Sequence, residues 1–163
     1  MIRSFAFVAA LFAAGPAMAL SCAQATVAGA YTHAAQSPAD YVIGVGSLSL
    51  TGPSNPPEGA VAQGGDINDM VGYTQPAQFA GELFTGQGFN NSTVLPVTVD
   101  VTCTIAWCGS AQSVDYGLHF FRVVNGAYIL DEGACPANVF DNAHPGMLEE
   151  VVQCHAGSCP GNW

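Results

Sequence analysis

Along residues 94–105 the chain alternates, with Val97, Val99, Val101, Cys103 and Ile105 on one parity and Thr98, Asp100, Thr102 and Thr104 on the other. A period of two predicts a strand with the first set buried and the second toward solvent. Pro96, which has no N–H to give, is expected near its start. Residues 116–124 and 127–130 flank Asn125-Gly126, the pair that most readily takes the left-handed angles of a type I′ turn, and so predict a hairpin. Residues 41–50 are apolar and β-prone, and Gly44 and Gly46 suit a bulge or bend at a barrel corner. Residues 77–85 predict one more strand, and 86–91 a turn-rich crossing from it. The stretch 51–65 holds Pro53, Pro56, Pro57 and several glycines and predicts an exposed excursion.

Two segments carry helical signals. Residues 23–36 are alanine-rich and must stop before Ser37-Pro38, because the residue ahead of a proline is pushed out of the helical region. Residues 147–153 predict a short terminal helix capped by Asp141 or Asn142, with Glu149 and Glu150 in the early turns that the helix dipole favours. About five strands with a helix toward each end of the chain describe a mainly β protein built on a small closed barrel.

The N-terminus changes the setting. Arg3, an apolar run over 5–15, Pro16 and the A-x-A site Ala17-Met18-Ala19 predict a removable signal peptide over residues 1–19, with Leu20 first in the mature chain. That run is shorter than the ~20 residues a membrane span needs, and nothing later is long and apolar enough. The expectation is one domain over 20–163, exported to the periplasm or secreted, with no membrane span.

Cysteine usage agrees with that address. Cys22, Cys103, Cys108, Cys135, Cys154 and Cys159 form an even set, the pattern of a disulfide framework in an exported domain. Sequence alone leaves the connectivity open. The two x4 spacings can each close a small ring, Cys103 with Cys108 and Cys154 with Cys159, which would leave Cys22 for Cys135. The rival is a zinc site of four thiolates, disfavoured because an oxidising compartment pairs thiols first. No C-x-x-C redox motif occurs.

Charge narrows the partners. The chain carries 2 Lys or Arg residues against 12 Asp or Glu, and a formal net charge of −10. Both cations are arginines, so loss of the signal leaves Arg122 alone. Nucleic acid and anionic lipid both demand cations, so neither is expected as a partner. A protein or peptide is expected instead, with basic partners favoured by charge, although an acidic surface also serves solubility alone.

At Trp107-Cys108-Gly109 a family resemblance enters. A Cys-Gly pair, then the hairpin Tyr116-Gly-Leu-His-Phe-Phe-Arg-Val-Val-Asn-Gly-Ala-Tyr-Ile-Leu130, then Cys135, resembles the core of the netrin-like domain of tissue inhibitors of metalloproteinases. Cys22, followed by Ala39-Asp40-Tyr41 and a glycine-bearing first strand, is similar to that family's opening. The resemblance runs from Cys22 to Cys154. It implies a five-stranded OB-like barrel whose N-terminal cysteine is tied to the barrel by a disulfide. Cys22 with Cys135 would reproduce that tie, and Cys22 with Cys108 is equally in keeping. It also implies a partner-binding edge formed by Leu20, Ser21 and Cys22 with Trp107, Cys108 and Gly109. Inhibitors of that family begin Cys-x-Cys and chelate their target's zinc through the free terminus; here Leu20 and Ser21 precede a single cysteine, which speaks against that mechanism. A lipid-modified Cys22 is disfavoured because Ala19, three places ahead, is not leucine.

Catalytic signatures are absent. There is no G-x-S-x-G elbow, phosphate-binding glycine loop or H-E-x-x-H helix, so the balance leans away from an enzyme, and no cofactor is expected. His119 is expected at the barrel surface, since it alternates with Leu118 and Phe120. Asp66, Asn68 and Asp69 offer clustered oxygens of the kind that bind calcium, but the EF-hand's later glycine and glutamate are missing and a solvated turn is the stronger reading. Asn90-Asn91-Ser92-Thr93 holds two overlapping glycosylation sequons, meaningful only in a eukaryotic secretory pathway. Phe84, Phe89, Phe120, Phe121 and Tyr128 are expected mostly in the core. The leading expectation is an exported, disulfide-stapled, non-catalytic protein-binding or inhibitory module; the alternatives are a divalent-cation-binding periplasmic protein and a small secreted hydrolase.

Overall fold

The computed structural model describes residues 21–160, so the expected signal peptide and Leu20 lie outside the described residues. Helix α1, Val27–Gln36, begins where the extended Thr26 accepts a hydrogen bond from the Gly29 N–H, satisfying one of the donors that a helix start leaves open. The Ala28 N–H is taken by the Glu150 carboxylate at 2.8 Å, so Glu150 places its charge at the positive end of α1 rather than of its own helix. The terminal helix, α2, spans Pro145–His155, with His144 in the cap position making no side-chain capping bond and Pro145 in the first turn. The expected caps are not used, because Asp141 ends a short strand and Asn142 turns with φ +55°.

Six strands form the main sheet: β1 Asp40–Leu50, β2 Tyr73–Phe84, β3 Phe89–Val101, β4 Val114–Val124, β5 Ala127–Glu132 and β6 Val139–Asp141. They are hydrogen-bonded in the order β1-β2-β3-β5-β4-β6, and β1 also pairs with β4, which closes the first five into a ring. Only β3 and β5 run parallel, in register from Val97↔Tyr128 to Val101↔Glu132. This is a five-stranded OB-like barrel with one helix before it and one after. The hairpin at Asn125-Gly126 forms as predicted, with φ of 51° and 82°. Strand β5 pairs with β4 only over Arg122–Val124, and β6, which sequence patterning did not show, takes the vacated edge at residues 117–119.

The alternating segment is displaced from its expected bounds. β3 starts earlier and ends at Val101, after which Cys103–Thr104 pairs with Trp107–Cys108 in a tight hairpin. Val97, Val99 and Val101 are buried, but Ile105, expected on the same face, sits at the hairpin tip with φ +57° and is 57% exposed. Pro96 lies inside the strand opposite Gln78, one residue before β5 joins that edge, so its missing donor breaks no bond to β5. Within the predicted excursion Val61–Ala62 forms a short strand, paired with Met70–Val71 beyond its end.

Two apolar layers hold the fold together. Inside the barrel lie Leu48, Phe79, Val97, Val99, Phe121 and Leu130. Outside it, α1 and α2 cover β1 and β4 through Val27, Ala30, Val45, Leu118, Phe120 and Val151. Each large side chain so buried contributes about 1.5–3 kcal/mol. β1 and β4 are therefore covered on both faces, and residues 43–46 and 117–121 are buried without a break. Where β1 turns the corner, Gly46 faces Gly81 of β2 and Gly117 of β4, and a Cβ on Gly46 would overlap the Ala80 carbonyl. The register shifts just beyond it, as expected of a bulge.

Candidate functional site

At the end of the barrel where β1, β3 and β5 finish and β4 begins, a cavity of about 330 Å³ opens. Its floor is the exposed end of the barrel core, with Leu48, Val99, Val114, Leu130 and Val139. One wall is formed by Cys108, Gly109 and Ser110, the other by Gly133, Ala134 and Pro136, and the two carboxylates are those of Glu132 and Asp141.

The strand period explains how a glutamate enters this place. On β5, Tyr128, Leu130 and Glu132 share the inward parity, while Ile129 and Asp131 face out. Glu132 is only 8% exposed, and its Oε1 is buried without a hydrogen-bond partner. Burial pushes its carboxyl up to about 7, with the charges of Asp141 and Asp131 adding to the effect. The outward neighbour has a different fate. Asp131 receives two hydrogen bonds from Arg122, Nε to Oδ2 at 2.7 Å and the second guanidinium nitrogen to Oδ1 at 2.5 Å, and Asp100 lies 4.0 Å from the same guanidinium. The single Lys or Arg among the described residues is thus engaged on the barrel exterior, away from the cavity.

The walls are rigidly tied. The Cys103–Cys108 disulfide closes the short hairpin, and the Gly109 N–H donates to the Thr102 carbonyl at 3.1 Å, while the Thr102 N–H donates to the Glu132 carbonyl at 2.9 Å. A Cβ on Gly109 would overlap that same Glu132 carbonyl, so only glycine allows the hairpin to lie this close. The Ala111 N–H, farther along, donates to the Tyr73 hydroxyl at 3.0 Å. On the opposite wall Cys135 is bonded to Cys22, which fixes the N-terminal segment beside Ala134 and Pro136. Of the expected partner edge, Cys108 and Gly109 line the cavity, whereas Ser21 and Cys22 do not, Cys22 being tied to Cys135 between two lining residues; Leu20 lies outside the described residues. Trp107 is 50% exposed and does not line the cavity.

All three disulfides follow the expected pairing: Cys22–Cys135, Cys103–Cys108 and Cys154–Cys159. They fit an oxidising setting, and no helix among the described residues is long and apolar enough to cross a membrane. His119 corrects an expectation. It lies inside the barrel, fully buried, stacked on Phe121 with ring centroids 5.6 Å apart and edge-on to Phe79. Leu118 and Phe120, its neighbours, face out under the helices. Its Nδ1 is 3.2 Å from the Gly117 carbonyl, its Nε2 has no partner, and burial lowers its pKa to about 4. The predicted aromatics divide in the same way, Phe121 and Tyr128 with the interior layer, Phe84, Phe89 and Phe120 with the outer one.

The remaining candidates stand apart from the cavity. Asp66 Oδ1 accepts from the backbone and side-chain N–H groups of Asn68 at 2.9 and 3.1 Å, and Asp66, Asn68 and Asp69 sit in an exposed turn. Among the described residues no group of three or more His, Cys, Asp or Glu is placed to hold a metal ion. His155 Nδ1 lies 3.0 Å from the Tyr31 hydroxyl, in the contact between the two helices. Sequence reasoning missed Glu132 and Asp141. The signal for Glu132 was its parity with Tyr128 and Leu130; none existed for Asp141, which depends on where β6 docks. No family model, curated protein or solved structure matches this chain.

Proposed function

We propose that this chain is an exported, non-catalytic netrin-like module that binds a protein or peptide at the open end of its barrel. The observation that carries the reading is the cavity framed by two disulfide-tied segments, the Cys103–Cys108 hairpin and the loop held by Cys22–Cys135. A site built in this way loses little conformational entropy on binding, because its walls are already ordered. Trp107, exposed on the same hairpin whose Cys108 lines the cavity, is of the aromatic type that anchors interfaces. The cysteine lining the cavity is held in a disulfide, so it offers no thiol nucleophile.

The test is selection of a randomised peptide display library on the purified chain, followed by calorimetry of the enriched peptides on wild type and on Gln112→Trp, which places an indole at the mouth. Enriched peptides should lose at least tenfold in affinity on the variant. Equal affinity for both proteins, or no enrichment, would remove the reading.

A further inference from the structure

We infer that the cavity takes a cationic side chain of the partner, a lysine ammonium or arginine guanidinium, seated between Glu132 and Asp141. This rests on the barrel mouth being the module's binding surface.

The first support is an unmet requirement. Glu132 is more than nine-tenths buried, lines the cavity, and leaves Oε1 without a partner. A buried carboxyl group with no hydrogen bond is costly, and proteins retain such groups where something else satisfies them. Its companion in the cavity, Asp141, makes no hydrogen bond to that oxygen.

The second support is that the described residues include no free cation to supply. The chain contains no lysine, and Arg122 is clamped on Asp131 outside the barrel. No histidine lines the cavity. A cation seated beside Glu132 and Asp141 would come from another molecule, and a net charge of −10 draws basic partners toward this protein before contact.

Shape decides the kind of cation. Leu48, Val99 and Leu130 make an apolar floor, with the carboxylates at one side. Lysine and arginine have this same division, an aliphatic stem that buries readily and a charged head that seeks oxygen. The volume of about 330 Å³ is at the small end of the ~300–1,000 Å³ typical of ligand pockets, which suits one side chain. A bare calcium ion would seek ~6–8 oxygens, and two carboxylates over an apolar floor do not offer them.

The experiment uses four capped dipeptides, acetyl-Ala-X-amide with X as lysine, arginine, norleucine or citrulline, titrated while the amide resonances of Gly109, Gly133 and Ala134 are followed. The lysine and arginine peptides should bind at least tenfold more tightly than their neutral counterparts. Glu132→Gln should abolish that preference, and Asp141→Asn, at an exposed position, should reduce it at least threefold, which keeps the test valid if the first variant folds poorly. Neutral peptides binding the mouth as tightly as basic ones would overturn the inference and leave the mouth as the binding surface. The inference is overturned in the same way if display-selected peptides bind there while none of the four shifts these amides, or if calcium chloride alone shifts them and the basic peptides do not. Failure of the display selection itself would remove both readings.

Discussion

Gly109 and Glu132 pack backbone against backbone, so close that a Cβ on Gly109 would overlap the Glu132 carbonyl oxygen. That contact brings the disulfide hairpin onto the end of β5 and shapes one wall of the cavity. Because the obstructing atoms belong to the main chain, no side-chain rotation relieves them. Gly109→Ala should therefore lower the unfolding free energy by about 2–3 kcal/mol. Gly133→Ala is the control: its Cβ would meet only the Thr102 hydroxyl at 3.4 Å, and the change should stay within about 0.5 kcal/mol. Urea unfolding of the two variants checks this, and equal effects would show that the close approach does not limit stability.

His119 and Glu132 set opposing pH dependences. His119 titrates at about 4 folded against an ordinary 6.5, so the neutral ring's contribution is complete above pH 6.5 and lost as pH falls toward 4. Glu132 titrates at about 7 against an ordinary 4.5, so its protonated form contributes fully below pH 4.5 and that contribution is lost as pH rises through 7. Between pH 4.5 and 6.5 the two slopes, each about 1.4 kcal/mol per pH unit, have opposite signs and cancel. Glu132→Gln should leave a stability that rises with pH over this window by on the order of 3 kcal/mol, and His119→Leu one that falls by a similar amount. Denaturation midpoints measured across the window decide it. If both variants keep the wild-type profile, neither group is perturbed in the folded state.

The disulfides should differ in effect according to the loops they close. Cys22 and Cys135 are 113 positions apart, whereas Cys103 and Cys108 are separated by 5. In the chain-entropy picture, loss of the first costs about 4–5 kcal/mol and loss of the second about 2. The paired serine variants, compared by urea unfolding under non-reducing conditions, should reproduce that order. A Cys22/Cys135 variant as stable as wild type would mean that the N-terminal segment contributes little to the fold.

Local features were the ones readable in advance. Asn125-Gly126 announced its turn because few pairs tolerate two left-handed residues in succession. Val97, Val99 and Val101 announced a buried face by parity. The cysteine spacings left one long bridge, and that bridge is present. The candidate site was legible only in part: Trp107, Cys108 and Gly109 were marked, and of these Cys108 and Gly109 form a wall, whereas the charged groups are Glu132 and Asp141. His119 was misplaced because β4 is covered on both faces, so parity could separate it from Leu118 and Phe120 without telling which side was the barrel interior.

Residue order alone was enough for whatever depends on neighbours along the chain: the period-two strands, the hairpin turn, the small disulfide rings and the dearth of cations. Ring closure of β1 onto β4, the placing of both helices over those strands, the burial of His119 and the stranding of Glu132 at an open barrel end were decided only in three dimensions. The reason is physical. Backbone angles and side-chain period are fixed within a few residues, whereas burial, and with it the state of a carboxyl or an imidazole, depends on which distant segments come to lie against it.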